Sequence, residues 1–120
     1  LNHLLVADRI WLKRLTGAGD APSRLDAILF ETFTALREAR EAEDERLSDY
    51  VAGLDEAGLD ASLSYQNTRG EDKVLPIKTV LAHLFNHQTH HRGQASQMLR
   101  QLGVAEPPAL DLLYFALPAD

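Results

Sequence analysis

Apolar residues recur at helical spacing through most of this chain. Over residues 2–16, Leu4, Leu5, Trp11, Leu12 and Leu15 return at helical intervals, the mark of an amphipathic helix. Thr16-Gly17-Ala18-Gly19 closes it. Asp20-Ala21-Pro22 then opens the next, because proline suits a first helical turn whose amide needs no partner. That second helix is predicted from Pro22 to Val51, with Leu25, Ile28, Leu29, Phe33, Leu36, Leu47, Tyr50 and Val51 as its apolar positions. Between them runs a charged stretch, Arg37 to Arg46, which reads as a solvated helix laced with i,i+4 ion pairs rather than as a binding surface.

The period changes over residues 53–76. Gly53 and Gly58 break the helix, Leu63 and Tyr65 alternate with polar residues, and Asn67-Thr68-Arg69-Gly70 is a turn signal before Lys73 to Leu75 lead to Pro76. A short hairpin is predicted there. A last long helix follows from Ile77 to Leu102, closed by Gly103. Beyond Pro107-Pro108, the apolar segment Leu110 to Leu117 is expected to pack as a final short helix. Three strong helices and a capping one predict an all-α helical bundle with a hairpin-like insert before the last long helix.

Composition narrows the function classes. The 120 residues suit one domain with a single core. Cysteine is absent, so the chain has no disulfide, no zinc–thiolate site and no thiol nucleophile of its own. A net charge of −6 with scattered basic residues argues against nucleic acid, which demands a basic footprint. No apolar run approaches the roughly 18 residues of a membrane helix. The expected setting is the cytoplasm.

Candidate chemistry concentrates in the last long helix. Four of the five histidines, His83, His87, His90 and His91, fall within nine residues. At about 100° per residue, Val80, Leu84, Ala95, Met98, Leu99 and Leu102 define an apolar sector that contains His91, with His87 at its edge. His83 and His90 lie further round, toward the polar side. Residues four apart share a helix face, so His87 and His91 can direct two imidazoles at one ion. A buried, hydrogen-bonded histidine is the usual alternative, but two imidazoles on one apolar face are costly to desolvate without a shared partner. A third ligand would give the open three-ligand arrangement of a catalytic divalent metal, and His3 is the one histidine outside the cluster.

Rival motifs fail. A zincin needs glutamate directly after the first histidine, where Gln88 stands. A di-iron bundle needs Glu-x-x-His, and no histidine here has glutamate three residues before it. Asp8 falls in the apolar sector of the first helix and calls for a cationic partner such as Arg92 or Arg100. Trp11 reads as core. Mid-helix Gly93, which costs about 1 kcal/mol against alanine, reads as a point of close helix approach.

Three segments, Asn2 to Trp11, Asn86-His87-Gln88-Thr89-His90-His91-Arg92-Gly93-Gln94 and Leu110 to Phe115, together resemble the DinB-like family of metal-binding four-helix bundles. The resemblance implies an up-down bundle and a divalent-metal site carried by His3, His87 and His91. The wheel independently favours the last two. His3 lies off the centre of its helix's apolar stripe, and its ligand role comes from the resemblance alone. Family members usually carry a further helix before the point where this chain starts. The chain is therefore expected to be N-terminally incomplete, or to expose apolar surface that a partner chain covers, and a homodimer is expected in either case.

The resemblance also implies a function. Relatives include transferases that use low-molecular-weight thiols such as bacillithiol or mycothiol, so the leading expectation is a metal-dependent transferase that activates such a thiol against a small electrophile. A non-catalytic, metal-binding stress-response protein and a purely structural dimeric bundle are the alternatives. Zinc and nickel are the foremost metals, although imidazole also suits copper and iron. Gln94 is a candidate to bond a ligand histidine or substrate, and Arg92 a candidate to form an ion pair that positions the helix.

Overall fold

The computed structural model describes residues 1–117 as five helices and one two-stranded sheet. Helix α1 spans Asn2–Thr16 and ends as the sequence predicts, with Gly17 at φ 71° and its amide bonded to the Lys13 carbonyl, a left-handed stop that glycine adopts without a Cβ penalty. Helix α2 (Phe33–Ala52) starts eleven residues later than Pro22. Its N-cap is Thr32, whose side chain accepts from the Ala35 amide and satisfies one of the unpaired first-turn donors. The short α3 (Glu56–Asp60) is capped by Asp55 through the Gly58 amide and has no counterpart in the expected elements. Strands β1 (Ser62–Gln66) and β2 (Asp72–Pro76) form the predicted hairpin, antiparallel with Tyr65 opposite Lys73. Its turn is built by Asn67, whose Oδ1 accepts from the amides of Arg69 and Glu71. Helix α4 (Ile77–Gln101) is the long predicted helix, and α5 (Leu112–Ala116) the short last one. Among the described residues no helix is long and apolar enough to cross a membrane.

The chain divides into two compact units, Leu1–Phe85 and Asn86–Asp120, with α4 passing through both. In the first unit, Leu12, Leu47 and Leu84 from α1, α2 and the start of α4 form the core, and Trp11 and Tyr50 pack against it. Leu5, Val6 and Val80 are also buried. The hairpin is anchored rather than isolated. Tyr65 meets Trp11 edge to face at 5.1 Å, and, flanking the hairpin, Lys78 of α4 pairs with Asp60 of α3 at 2.6 Å.

Two expectations about this unit are corrected. Residues 22–32 are irregular because tertiary bonds hold them open. Asn2 Oδ1 accepts from the amides of Leu29 and Phe30 at 3.0 and 3.1 Å, and its Nδ2 donates to the Phe30 carbonyl at 3.0 Å. These bonds occupy backbone groups that a helix would use internally. The charged stretch is also not wholly solvated. Arg37–Glu41 and Arg40–Asp44 are the i,i+4 pairs expected on an open face, but Arg40 also donates to Asp8, which is fully buried. Glu43, only 3% exposed, accepts from Arg46 and lies 3.8 Å from Arg9. Asp8 thus finds a cation on α2, at Arg40.

The second unit begins at Asn86 within α4, whose end is a Schellman turn. The Val104 amide reaches the Leu99 carbonyl, the Gly103 amide reaches that of Arg100, and Gly103 sits at φ 95°. The apolar sector inferred for α4 splits between its ends. Val80 and Leu84 are buried, whereas Met98 and Leu102 are exposed. Helix α5 does not pack as expected: Leu112, Leu113, Tyr114 and Phe115 all face solvent.

Candidate metal centre

His91 and His87 stand one turn apart on α4, with their Nε2 atoms 3.1 Å from each other. Two nitrogens bound at about 2.0–2.1 Å on a tetrahedral ion stand about 3.3 Å apart, so the observed separation fits joint ligation. The proton positions agree. Gln94 Oε1 lies 2.7 Å from His91 Nδ1. An amide oxygen only accepts, so His91 donates from Nδ1 and turns Nε2 toward His87.

His3 occupies the first turn of α1, and the irregular segment 22–32 orients it. The Asn2 bonds hold this segment beside the first turn, and the Leu25 carbonyl comes within 3.0 Å of His3 Nδ1. Because a carbonyl can only accept, His3 also carries its hydrogen on Nδ1 and presents Nε2 as a lone pair. A second bond that fixes a ligand histidine's tautomer is typical of metal sites. No sequence signal marks Leu25 for this role, since its backbone, not its side chain, does the work. Gln94 takes the first of its two expected roles, bonding a candidate ligand histidine.

His3, His87 and His91 form a group that could hold a metal ion: each offers one ring nitrogen, and the three nitrogens lie within 4.8 Å of one another. All three are half-buried, shielded enough to strengthen electrostatics yet open to solutes. No carboxylate belongs to the group.

The other histidines serve elsewhere. His83 meets Trp11 edge-on at 5.4 Å, and His90 stacks edge to face on His91 at 5.0 Å. Arg92 donates to Thr89 Oγ1 at 3.2 Å and forms no ion pair among the described residues. Gly93 does not mark a close approach: a Cβ built there would meet nothing within 4 Å. Gly93→Ala should therefore raise stability by about 1 kcal/mol through helix propensity. Thermal denaturation of the two proteins checks this, and a lower Tm would show that the glycine is needed for packing.

Comparison with known proteins identifies the family. The DinB family model matches residues 1–119. The chain is also 31% identical over 112 residues to the protein named DinB of Bacillus subtilis (strain 168), an alignment covering 90% of this chain and 65% of that relative. It thus spans just under two thirds of the relative's length. No solved structure matches. Segments singled out by their chemistry, with a helical fold that brings three of the five histidines together, lie inside that match, and the chain belongs to the DinB family.

Proposed function

We propose that this protein binds a divalent metal, zinc or nickel, through His3, His87 and His91, and that it transfers a low-molecular-weight thiol to small electrophiles. The observation that carries the proposal is the charge of the ligand group. Three neutral imidazoles leave both positive charges of a divalent ion uncompensated, and the chain has no cysteine to supply an anion. An anionic ligand from solution completes such a site, and a thiolate is the soft donor that imidazole-bound zinc or nickel accepts. The metal would supply Lewis acidity that lowers the pKa of a bound thiol toward neutrality.

The chain's own residues orient and shield. The Leu25 carbonyl and Gln94 hold two rings with Nε2 forward. Helix α4 carries no aspartate or glutamate to serve as a general base, and attack by a preformed thiolate requires none. Gln94→Ala should weaken metal binding about 10–100-fold by releasing the His91 ring, measured by competition with a chromogenic chelator. Unchanged affinity would remove Gln94 from the site.

The reading also takes the protein as a cytoplasmic homodimer. In its support, Phe33 lies two-thirds exposed beside an apolar groove of about 170 Å3 between α1 and α2. Light scattering on the purified protein decides this point: a monomeric mass at micromolar concentration would overturn it.

The activity test uses metal-loaded protein, a low-molecular-weight thiol and 1-chloro-2,4-dinitrobenzene, with thioether formation followed by absorbance. Metal-dependent acceleration that disappears in His91→Ala supports transfer. Stoichiometric metal without acceleration for any thiol tried would leave a metal-binding stress protein without turnover.

A further inference from the structure

A cleft lies in the first unit, lined by residues that the histidine group does not use. An open cleft of roughly 510 Å3 is bounded by the end of α1 (Lys13, Arg14), the following loop (Pro22, Ser23) and the hairpin turn (Asn67, Thr68). None of its lining residues is acidic, although the chain as a whole carries a net charge of −6.

Arg14 is held in an uncommon way. Its guanidinium carbon lies 4.6 Å from the centre of the Trp11 ring and 4.8 Å from that of Tyr65, wedged against two aromatic surfaces. It has no carboxylate partner among the described residues, in contrast to Arg24, Arg37, Arg40 and Arg46. Burial pulls its pKa below the usual arginine value, and Tyr65 offsets part of that effect. The charge remains, since arginine does not deprotonate in proteins. Stacking fixes the planar fork at low entropic cost while leaving the N–H edge available. Lys13, one residue away, is exposed and likewise has no acidic partner among the described residues. The plainer reading, in which both cations merely complement the negative end of the α1 dipole, accounts for their position in the last turn. It does not account for a cleft with no acidic residue in its lining, which includes Ser23 and Thr68, and beside which the Glu71 carboxylate is already held by Asn67 and Lys73.

We propose that this cleft binds a small molecule through an oxyanion group, phosphate or carboxylate, with Arg14 as the fixed fork and Lys13 as a mobile second charge. A bidentate guanidinium–oxyanion pair is the strongest hydrogen-bonded arrangement open to such residues. The proposal is independent of the metal and of thiol transfer.

Trp11 is the sole tryptophan and touches Arg14, so its emission reports on the site. The protein is titrated with inorganic phosphate in one series and citrate in another, at constant ionic strength set with sodium chloride, with calorimetry alongside. The expected result is a saturable change for at least one of the two, weakened tenfold or more in Arg14→Gln and several-fold in Lys13→Gln. His87→Ala should bind as the unsubstituted protein does. Phosphate alone or citrate alone identifies which oxyanion the cleft takes. Lys13 is solvent-exposed, so its variant reads out even if loss of the Arg14 stack disturbs folding. No saturable heat or emission change with either anion would overturn the proposal, as would equal binding by Lys13→Gln and the unsubstituted protein.

Discussion

Replacing His87 or His91 by alanine is expected to abolish stoichiometric metal binding. The two Nε2 atoms stand 3.1 Å apart, so either substitution leaves the other ring without its joint partner. Structural zinc sites release about 10–16 kcal/mol over four ligands, so one imidazole carries on the order of 3 kcal/mol and its loss weakens binding about 10²–10³-fold. Metal analysis of protein purified without a nickel column, beside each variant, measures this. His83→Ala and His90→Ala serve as controls, because neither belongs to the group of three. Equal loss in a control and in His87→Ala would mean that the cluster binds metal nonspecifically.

The second large effect lies in the α1–α2 interface. Asp8 is fully buried and Arg40 Nη1 donates to it at 2.5 Å. Removing one member of a buried ion pair leaves the other charge uncompensated and costs about 3–5 kcal/mol. Because the Arg40 side chain is 25% exposed, the lower end applies to Asp8→Ala, whose stranded arginine can turn toward water and Asp44. Arg40→Met takes this cation away from a fully buried carboxylate, which cannot turn toward water as the arginine can, and should cost more. Joining Asp8→Leu to Arg40→Met should recover most of the loss, as apolar replacement of a buried pair is often neutral. Urea denaturation of the set checks the ordering. A double variant no better than the singles would mean that the pair does more than cancel its own charges.

Local pattern was enough where local forces decide. The ends of α1 and α4 follow from Gly17 and Gly103, which supply the positive φ those stops use. The hairpin follows from the alternation through Leu63 and Tyr65 and from Asn67, whose side chain builds the turn. Long-range bonds decided the rest. Leu25, Ile28 and Leu29 have helical spacing, yet Asn2, 27 residues before Leu29, binds that stretch in an open form. Nothing in residues 22–32 announces this. Arg40 and Glu43 look like their solvated neighbours in sequence, and only Asp8, Arg9 and Arg46 distinguish them.

The same division runs through the candidate site. His87 and His91 are legible as a pair because four residues make one helical turn. His3 is not: periodicity puts it off its helix's apolar stripe, and its place came from a family resemblance. Its orientation depends on the Leu25 carbonyl, a backbone group that every residue has and no sequence pattern can mark. The expected close approach at Gly93 failed for a related reason, since a helix glycine looks alike whether it faces a neighbour or open space.

X-ray absorption at the metal edge, on zinc- or nickel-loaded protein with and without a low-molecular-weight thiol, tests the central claim most directly. The chain contains no cysteine and a single methionine, and no sulfur belongs to the ligand group. Nitrogen and oxygen scattering from imidazole and solvent, without sulfur, should appear first, followed by a sulfur shell at about 2.3 Å once thiol is added. Imidazole scattering that stays unchanged at saturating thiol would contradict thiol activation at this site, and failure to load any metal would contradict the site itself.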